Sequence, residues 1–296
     1  AEKAGQLLGV SAGDVLVCST GLIGTGDGVF RGKVLAGTEA AIEGLSTEGG
    51  PDAARAIMTT DTVPKTVTFD GDGWTIGAMA KGAGMLAPGL ATMLVVITTD
   101  AVLDAAEADA HLRAATCVSF DRLDSDGCMS TNDQVTLLVS GASDVVPDAD
   151  EFRSALVEVC TDLAVQLQAD AEGASHNIAI RVVGAESEDD AVEVGRSIDR
   201  NNLFKAAIFG NDPNWGRVLA AIGTTRASFD PYAVDVSFNG VRLCSDGAPD
   251  RPREEVDLTP RATDVLIDLK AGEASATIFT NDLTHDYVHE NSAYSS

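Results

Sequence analysis

A glycine- and proline-rich segment that runs directly into an apolar one constrains this chain more than any other feature. Residues 81–101 read KGAGMLAPGLATMLVVITTDA, with the hydroxyl of Thr92 at the junction. The first half is too flexible for a helix, whereas the run MLVVITT has the β-branched content of a buried strand. The residues alone therefore predict that Thr92 opens a β-strand at the end of a flexible loop.

The same junction also allows a chemical interpretation. If the chain is cut between Ala91 and Thr92, Thr92 gains a free α-amine with an ordinary pKa of about 8, which can accept the proton of the hydroxyl on the same residue. One residue then supplies both the nucleophile and the base. Gly82, Gly84 and Gly89 allow the strained backbone geometry that attack of a hydroxyl on the preceding carbonyl requires.

Composition excludes several classes of partner. The chain has 296 residues and a hydrophobic content of 45%, which suits one large or two modest globular domains. Asp and Glu outnumber Lys and Arg by 46 to 20, and the net charge of −26 repels nucleic acids and anionic membranes. The longest apolar run, around MLVVI, is far shorter than a membrane span. We therefore expect a cytoplasmic protein with neither nucleic acid nor membrane as a partner.

Cysteine and histidine spacing argues against disulfides and against a metal site. The five cysteines are widely spaced and form no CxxC pair, which is typical of reduced thiols in a cytosolic protein. They are Cys18, Cys117, Cys128, Cys160 and Cys244. Among the histidines only His285 and His289 are close in sequence, and their segment has a strand-like pattern, so we predict no metal ligands there.

Strand and helix patterns alternate irregularly along the chain. Strand patterns occupy residues 14–20, 65–69, 74–80, 92–99, 134–140, 177–185, 233–238, 264–269 and 274–279. Helical patterns occupy residues 33–45, 104–116, 150–170, 189–198 and 212–223. Asp104 and Asp212 are the expected N-caps of two of these helices. The irregular alternation predicts an α/β fold with mixed sheets flanked by helices.

Seven motifs in register make the chain resemble a known family. They are STGLIG at 19–24, IMTTDTVPK at 57–65, the segment 81–101, MSTND at 129–133, AEGA at 171–174, DPNWGR at 212–217 and NSAYSS at 291–296. Together they resemble the ornithine acetyltransferases of arginine biosynthesis, which are bifunctional glutamate N-acetyltransferases similar to N-terminal-nucleophile enzymes. The resemblance implies an N-terminal-nucleophile-like sandwich of mixed sheets and helices.

The resemblance also implies a self-cleaving enzyme. Thr92 matches the family's nucleophile and Ala91–Thr92 its cleavage bond, which divides the chain into an N-terminal fragment 1–91 and a C-terminal fragment 92–296. Thr20 and Gly21 match the pair that stabilises the oxyanion, although the same residues also fit an ordinary turn at the end of a strand. The fragments are expected to stay associated, as a heterotetramer with two copies of each.

The implied reaction moves an acetyl group from N2-acetyl-L-ornithine to L-glutamate through an ester on Thr92, with no cofactor and with acetyl-CoA as a further donor. The family's substrate-contacting positions fall on Thr59, Lys81, Glu172, Asn291 and Ser296. Glu172 suits an ammonium group and Lys81 a carboxylate. Taken singly, Glu172 also fits an exposed helix end and Lys81 a solvated loop cation. Asn291 and Ser296 also fit a frayed tail. MSTND and DPNWGR are interpreted as structural.

Departures from the family pattern keep two other functions open. Residues 25–32, TGDGVFRG, replace a Leu-Pro-Met segment, Ser175-His176-Asn177 stands where a basic residue is usual, and Ser296 stands where Thr is common. Family members also carry a segment before the point where this chain starts, so we expect the first fragment to be truncated at its start. The alternatives are an amidohydrolase or aminopeptidase of related architecture, and an uncut, inactive fragment that serves as an acidic binding subunit.

Overall fold

The computed structural model describes residues 1–22, 24 and 26–293, which form helices and two mixed sheets. The α-helices are α1 (Glu2–Leu8), α2 (Gly28–Glu43), α3 (Gly50–Ala56), α4 (Ala105–Val118), α5 (Ala149–Ala169), α6 (Glu188–Asp199), α7 (Asn202–Phe209), α8 (Trp215–Ile222) and α9 (His285–Ala293). The strands are β1 (Lys65–Asp70), β2 (Thr75–Lys81), β3 (Leu94–Thr99), β4 (Gln134–Val139), β5 (Asn177–Ala185), β6 (Asp235–Phe238), β7 (Val241–Ser245), β8 (Ala248–Pro249), β9 (Ala262–Asp268) and β10 (Ala274–Asn281).

The first sheet has the strand order β1-β2-β3-β4. Its first two pairings are antiparallel, whereas β3 and β4 run parallel with Leu94 opposite Gln134. One face of this sheet packs against α4 and α5, and buried residues such as Ile76, Ile97 and Leu156 form the core between them. Strand β3 is therefore an interior strand, with β2 on one side and β4 on the other.

The second sheet has the order β10-β5-β9-β6-β7-β8. Strands β5 and β9 are parallel, and the other neighbours are antiparallel. Helix α6 packs across β10 and β5, where Val194 meets Ile180 and Ile278 in a second buried cluster. These two sheets and their helices confirm the α/β fold with mixed sheets.

Helix α5 joins the two sheets. Its apolar stripe is fully buried at the five positions that the sequence pattern identified: Phe152, Leu156, Val159, Leu163 and Leu167. The helix contacts β1, β2 and β10. Near its end, the Gln168 side-chain amide donates to Ile178 O at 2.9 Å and to Thr280 O at 2.7 Å, both in the second sheet. The strands on both sides are therefore held at a fixed distance from one another.

Two local predictions about the elements were wrong, and one helix was missed. Residues 14–20 form no strand, because after a short 3₁₀ turn at 12–14 the backbone is irregular and Leu16 and Val17 are exposed. Helix α8 begins at Trp215, since the N-cap is Asn214, whose side chain accepts the Arg217 N–H, rather than Asp212. Helix α7 was not predicted. The N-cap of α4, in contrast, is Asp104 as predicted, in a capping box with Glu107.

The segment that carries His285 and His289 is helical rather than strand-like, because it forms most of α9. The two histidines thus lie one helical turn apart. Within residues 1–22, 24 and 26–293, no group of three or more His, Cys, Asp or Glu side chains is placed to hold a metal ion. None of the helices in these ranges combines the length and the apolar character needed to cross a membrane.

Replacing Phe152 by alanine tests the packing of α5. The ring is fully buried, with ring centroids 5.2 Å from Trp74 and 5.5 Å from His111. We expect Phe152→Ala to lower the free energy of unfolding by about 3–5 kcal/mol, because the lost ring leaves a cavity. Urea unfolding followed by tryptophan fluorescence measures the change. The control Val165→Ala, on the exposed side of α5, should change it by less than about 0.5 kcal/mol, and equal losses would contradict this account.

Candidate active site

A pocket of about 350 Å³ brings together most of the residues predicted from the sequence. Those in its wall are Thr20, Gly21, Thr59, Thr92, Glu172 and Asn291. They come from segments far apart in sequence: the irregular stretch before α2, the loop before β1, the bend before β3, the turn after α5, and α9. Of the other predicted positions, Lys81 lies behind the wall and Ser296 lies outside the described residues.

Thr92 lies in a bend two residues before β3 and does not open the strand as predicted. The reason is that the Thr92 N–H donates to Met85 O at 2.8 Å, within the loop between β2 and β3. The pairing of β3 with β2 therefore begins only at Leu94. The Thr92 Oγ1 atom is buried and has no hydrogen-bond partner within the described ranges. A hydroxyl in this state keeps its lone pairs available for a reaction at the pocket wall.

Lys81 ends β2 and is fully buried, so it is not the solvated loop cation of the simpler interpretation. Its Nζ donates to Thr92 O at 3.0 Å. Burial lowers the pKa of Lys81 below its ordinary value, and the nearby Asp61 carboxylate opposes part of that effect. Lys81 does not line the pocket itself, but it fixes the carbonyl of Thr92 and brings a positive charge close to the nucleophile.

A buried ion cluster that the sequence did not suggest supports this side of the pocket. Lys65 is fully buried, and its Nζ donates to Asp61 and to Asp170, at 2.6 Å in each case. Asp61 also accepts the backbone N–H groups of Gly82, at 2.7 Å, and Thr59, at 3.1 Å. Burial acts to raise the pKa of Asp61, but these hydrogen bonds and Lys65 outweigh it and hold the pKa below its ordinary value.

Glu172 and Asn291 form the opposite part of the wall. Glu172 follows α5, and its backbone N–H donates to Ala83 O at 2.9 Å, while its Oε2 accepts from Asn291 Nδ2 at 3.2 Å. A Cβ added at Gly84 would lie 2.5 Å from that carboxylate, so Gly84 leaves the space in which the Glu172 side chain lies. Asn291 is part of helix α9 and not of a frayed tail.

Helix α9 reaches the pocket because Gly173 lets it approach closely. Gly173 has a φ of +64°, and a Cβ there would lie 2.2 Å from the Tyr287 backbone nitrogen. Thr284 Oγ1 donates to Gly173 O at 2.6 Å and accepts the Tyr287 N–H at 2.9 Å. The turn after α5 and the first turn of α9 are thus in direct backbone contact, and this contact sets the position of Asn291.

Thr20 and Gly21 lie in irregular backbone and face the same pocket as Thr92. In the replaced segment 25–32, Thr25 lies outside the described residues. The rest of that segment leads into α2, where Asp27 is the N-cap and accepts the Phe30 N–H at 2.8 Å. The departure from the family pattern therefore begins a helix next to the expected oxyanion pair.

The interpretation of MSTND as structural misses the part that the loop before β4 plays in the pocket wall. Ser130, Thr131 and Asn132 line the pocket. Strands β3 and β4 are parallel and in register, so the residues that precede them lie at the same edge of the sheet. A run of hydroxyl and amide side chains directly before the neighbouring parallel strand was the signal that could have identified them.

Comparisons with known proteins identify the family to which this chain is similar. Residues 1–296 match the family model described as ArgJ family. Proteins named arginine biosynthesis bifunctional protein ArgJ from Streptomyces avermitilis and Thermobifida fusca are 61% and 59% identical over 296 residues, covering 100% of this chain and 77% of each relative. A crystal structure titled with the same protein name, from Bacillus halodurans, is 32% identical with a TM-score of 0.63 and covers 67% of this chain and 97% of that chain.

Replacing Asp61 by asparagine tests the buried ion cluster. The variant keeps the side-chain shape but removes a charge next to Lys65, so we expect the free energy of unfolding at pH 7 to fall by about 3 kcal/mol. Because the folded pKa of Asp61 is lowered, its contribution is complete above its ordinary value of 3.8 and is lost as the pH falls through the lowered pKa. The difference from the wild type should therefore shrink below pH 3.8.

Urea unfolding at a series of pH values measures that difference. Asp52→Asn is the matched control, because Asp52 is exposed and pairs with Arg55 on the surface of α3, and it should leave the curves almost unchanged. A deficit for Asp61→Asn that is as large at pH 3 as at pH 7 would show that the charge of Asp61 is not what stabilises the cluster.

Proposed function

The chain belongs to the ArgJ family, and on that premise we propose that it transfers acetyl from N2-acetyl-L-ornithine to L-glutamate as an acyltransferase of arginine biosynthesis. The acetyl group is held as an ester on Thr92 between the two half-reactions. The observation that carries the proposal is the Thr92 hydroxyl, which is buried at the pocket wall with no partner among the described residues. Its surroundings supply a nearby positive charge, a carboxylate and neutral hydrogen-bonding groups.

Self-cleavage is the first step of the proposed mechanism. Thr92 Oγ attacks the Ala91 carbonyl carbon, the peptide C–N bond breaks, and the nitrogen takes up the hydroxyl proton, which leaves an ester. Water then hydrolyses that ester, so that Ala91 ends in a carboxylate while Thr92 has a free α-amine and recovers its hydroxyl. The hydrogen bond from Lys81 to Thr92 O steadies the residue while the bond on its other side is broken.

Acetyl transfer follows in two balanced half-reactions. The Thr92 amine takes the hydroxyl proton as Oγ attacks the acetyl carbonyl, and the ornithine amine leaves with that proton. The amine of glutamate then attacks the ester, releases N-acetyl-L-glutamate and restores the hydroxyl. Thr20 and Gly21, in the same pocket wall, are the proposed donors to the negatively charged oxygen, through a hydroxyl and a backbone N–H.

The pocket wall suits an amino-acid substrate. Glu172 offers a carboxylate for the ammonium group of a substrate, and Asn291 and Thr59 offer neutral hydrogen bonds. Lys81 is hydrogen-bonded to Thr92 O, so its positive charge attracts a substrate carboxylate that lies close to the nucleophile. Ser296 stays a prediction. The mechanism needs no cofactor, and acetyl-CoA is proposed as a further acetyl donor.

The two fragments are expected to stay together after cleavage. Strand β2 belongs to residues 1–91 and β3 to residues 92–296, and the two strands are paired from Ile76–Thr99 to Lys81–Leu94. A heterotetramer with two copies of each fragment is the proposed assembly.

Replacing Thr92 tests the cleavage. Intact-mass measurement of the purified wild type should show two pieces, residues 1–91 and 92–296. Thr92→Ala should remain a single chain without acetyl transfer, whereas Thr92→Ser should retain part of both activities, because a hydroxyl remains. Thr98→Ala, at an exposed position of β3, is the control that should be cut normally. Two pieces from Thr92→Ala, or full activity of an uncut wild type, would refute the nucleophile.

Acceptor competition tests the reaction. With N2-acetyl-L-ornithine labelled in its acetyl group, we expect N-acetyl-L-glutamate to form in large excess over free acetate when glutamate is present, because the amine and not water resolves the ester. Nuclear magnetic resonance of the labelled methyl group distinguishes the products, and acetyl-CoA can replace the donor in a parallel reaction. Free acetate as the main product would instead indicate an amidohydrolase, and no turnover by an uncut chain would indicate a binding subunit.

A further inference from the structure

A second loop, residues 124–133, runs alongside the segment that precedes Thr92. Three hydrogen bonds join the two: Met85 N–H to Asp126 Oδ2 at 2.8 Å, Ala87 N–H to Cys128 O at 3.2 Å, and Ser130 N–H to Leu90 O. Of these, the bond to Asp126 is the one that uses a side chain. The 124–133 loop therefore holds the segment before Thr92 along its length, and a substitution of Asp126 can release the Met85 end of that segment.

Met85 links Asp126 to the nucleophile. Its φ is +52°, in the left-handed region that a residue with a side chain seldom adopts unless its surroundings impose it. Its N–H is held by the Asp126 carboxylate, and its carbonyl accepts the Thr92 N–H at 2.8 Å. Two hydrogen bonds thus connect the Asp126 carboxylate to the Thr92 nitrogen through the backbone of Met85.

The base of the 124–133 loop is itself fixed by residues of two helices, α6 and α7. Arg200, at the end of α6, donates through Nε to Asp124 Oδ2 at 2.8 Å, and Asp124 is fully buried. Lys205 of α7 donates through Nζ to Ser125 O at 2.7 Å. Asp126 follows these two anchored residues directly, so its carboxylate is presented to Met85 by a rigid support.

We infer that Asp126 is a positioning residue for Thr92, an inference that rests on the proposed role of Thr92 as an N-terminal nucleophile. By holding Met85 in its left-handed conformation, Asp126 places the carbonyl that receives the Thr92 nitrogen. Before cleavage this carbonyl orients the amide of the bond to be broken. After cleavage it accepts from the α-amine and directs the amine's lone pair to the hydroxyl of the same residue.

The ionisable groups around Thr92 must be separated from this effect. Glu172 lines the same pocket, Lys81 bonds to Thr92 O, and the Asp133 carboxyl group faces the backbone N–H of Ala91. None of the three side chains is hydrogen-bonded to Asp126, whose carboxylate accepts from the backbone of Met85 and Cys128. A change in the titration of the amine that depends on whether residue 126 can accept a hydrogen bond therefore reports on the Met85 carbonyl.

Three variants of the full chain test the inference. Asp126→Ala removes the acceptor, and Asp126→Asn keeps an oxygen that can accept the Met85 N–H while removing the charge. Asp230→Ala is the matched control, since Asp230 is an exposed residue that accepts a backbone N–H, from Tyr232 at 2.9 Å, in a distant surface turn. The measurements are the rate of appearance of the two pieces by mass, and kcat and KM of the cut enzyme across pH.

For Asp126→Ala we expect cleavage and kcat to be slower by roughly ten- to a hundredfold and KM to change much less, because the reacting groups are misplaced while Met85 is the one wall residue whose hydrogen bond to residue 126 is lost. The acidic limb of the kcat/KM profile should move to lower pH by about 0.5–1 unit, since the ammonium form loses its acceptor. Asp126→Asn should restore the cleavage rate, kcat and the pH profile to near those of the wild type, and Asp230→Ala should match the wild type throughout.

Wild-type cleavage rate and pH profile in Asp126→Ala would overturn the inference, even if that variant were less stable. An Asp126→Asn variant as impaired as Asp126→Ala would overturn it as well, because charge and not hydrogen bonding would then be responsible. If Asp126→Ala does not fold, Asp126→Ser replaces it, since serine is too short to reach Met85 but is still polar. Thr92→Ala in the same series keeps the two proposals apart: its cleavage would refute the nucleophile, whereas an unaffected Asp126→Ala refutes only the positioning role.

Discussion

The antiparallel pairing of β2 with β3 is the constraint on which the rest of the site depends. Six residue pairs hold the two strands together, and the connection between them contains the Ala91–Thr92 bond. Because both ends of this connection are fixed in the core of the first sheet, the glycines and Pro88 within it can distort without disturbing the fold. The pairing thus leaves the connection free to distort, and it would keep the two sides in contact after the proposed cleavage.

Charge is distributed unevenly between the surface and the interior. The net charge is −26, yet Lys65, Lys81 and Lys205 are buried close to the pocket or to the loop that supports it. Burying an ammonium group costs several kcal/mol unless partners compensate, and here carboxylates or carbonyl oxygens accept from each one. Burial lowers the pKa of Lys205, although nearby carboxylates, Asp199 first among them, oppose it. The main effect of these buried lysines is therefore to fix the positions of nearby backbone groups, and their net contribution to the free energy of unfolding is small.

Sequence patterns predicted the elements whose hydrophobic period is long and regular. The stripe from Phe152 to Leu167 identified α5, and β-branched runs identified β1, β3 and β5. Residues 14–20 also have a strand pattern, but a strand forms only where another strand pairs with it. Whether such a strand is present depends on the tertiary structure and not on the local sequence. The short polar segment 285–293 lacks an apolar stripe, so its helical state depends on its contact with the turn after α5.

The site shows the same division. Thr92, Glu172 and Asn291 could be identified from motifs, since each lies in a distinctive run of residues. The Lys65–Asp61–Asp170 cluster and the Asp126–Met85 bond could not, because they join residues separated by up to 105 positions, and no local pattern reports such pairs. The position of residues 130–132 in the pocket wall could be predicted only in part, because it requires the knowledge that β3 and β4 are parallel.

The close approach at Gly173 has a consequence for the comparison of sequences. Glu172 supplies a charge, but its neighbour determines whether α9 can come near enough for Asn291 to reach that charge. Some related chain could have the glutamate at position 172 but a residue larger than glycine at position 173. Such a chain would retain the negative charge, but α9 could not pack beside it. The pair at 172 and 173, read together, is therefore a more selective marker of a complete pocket than the glutamate alone.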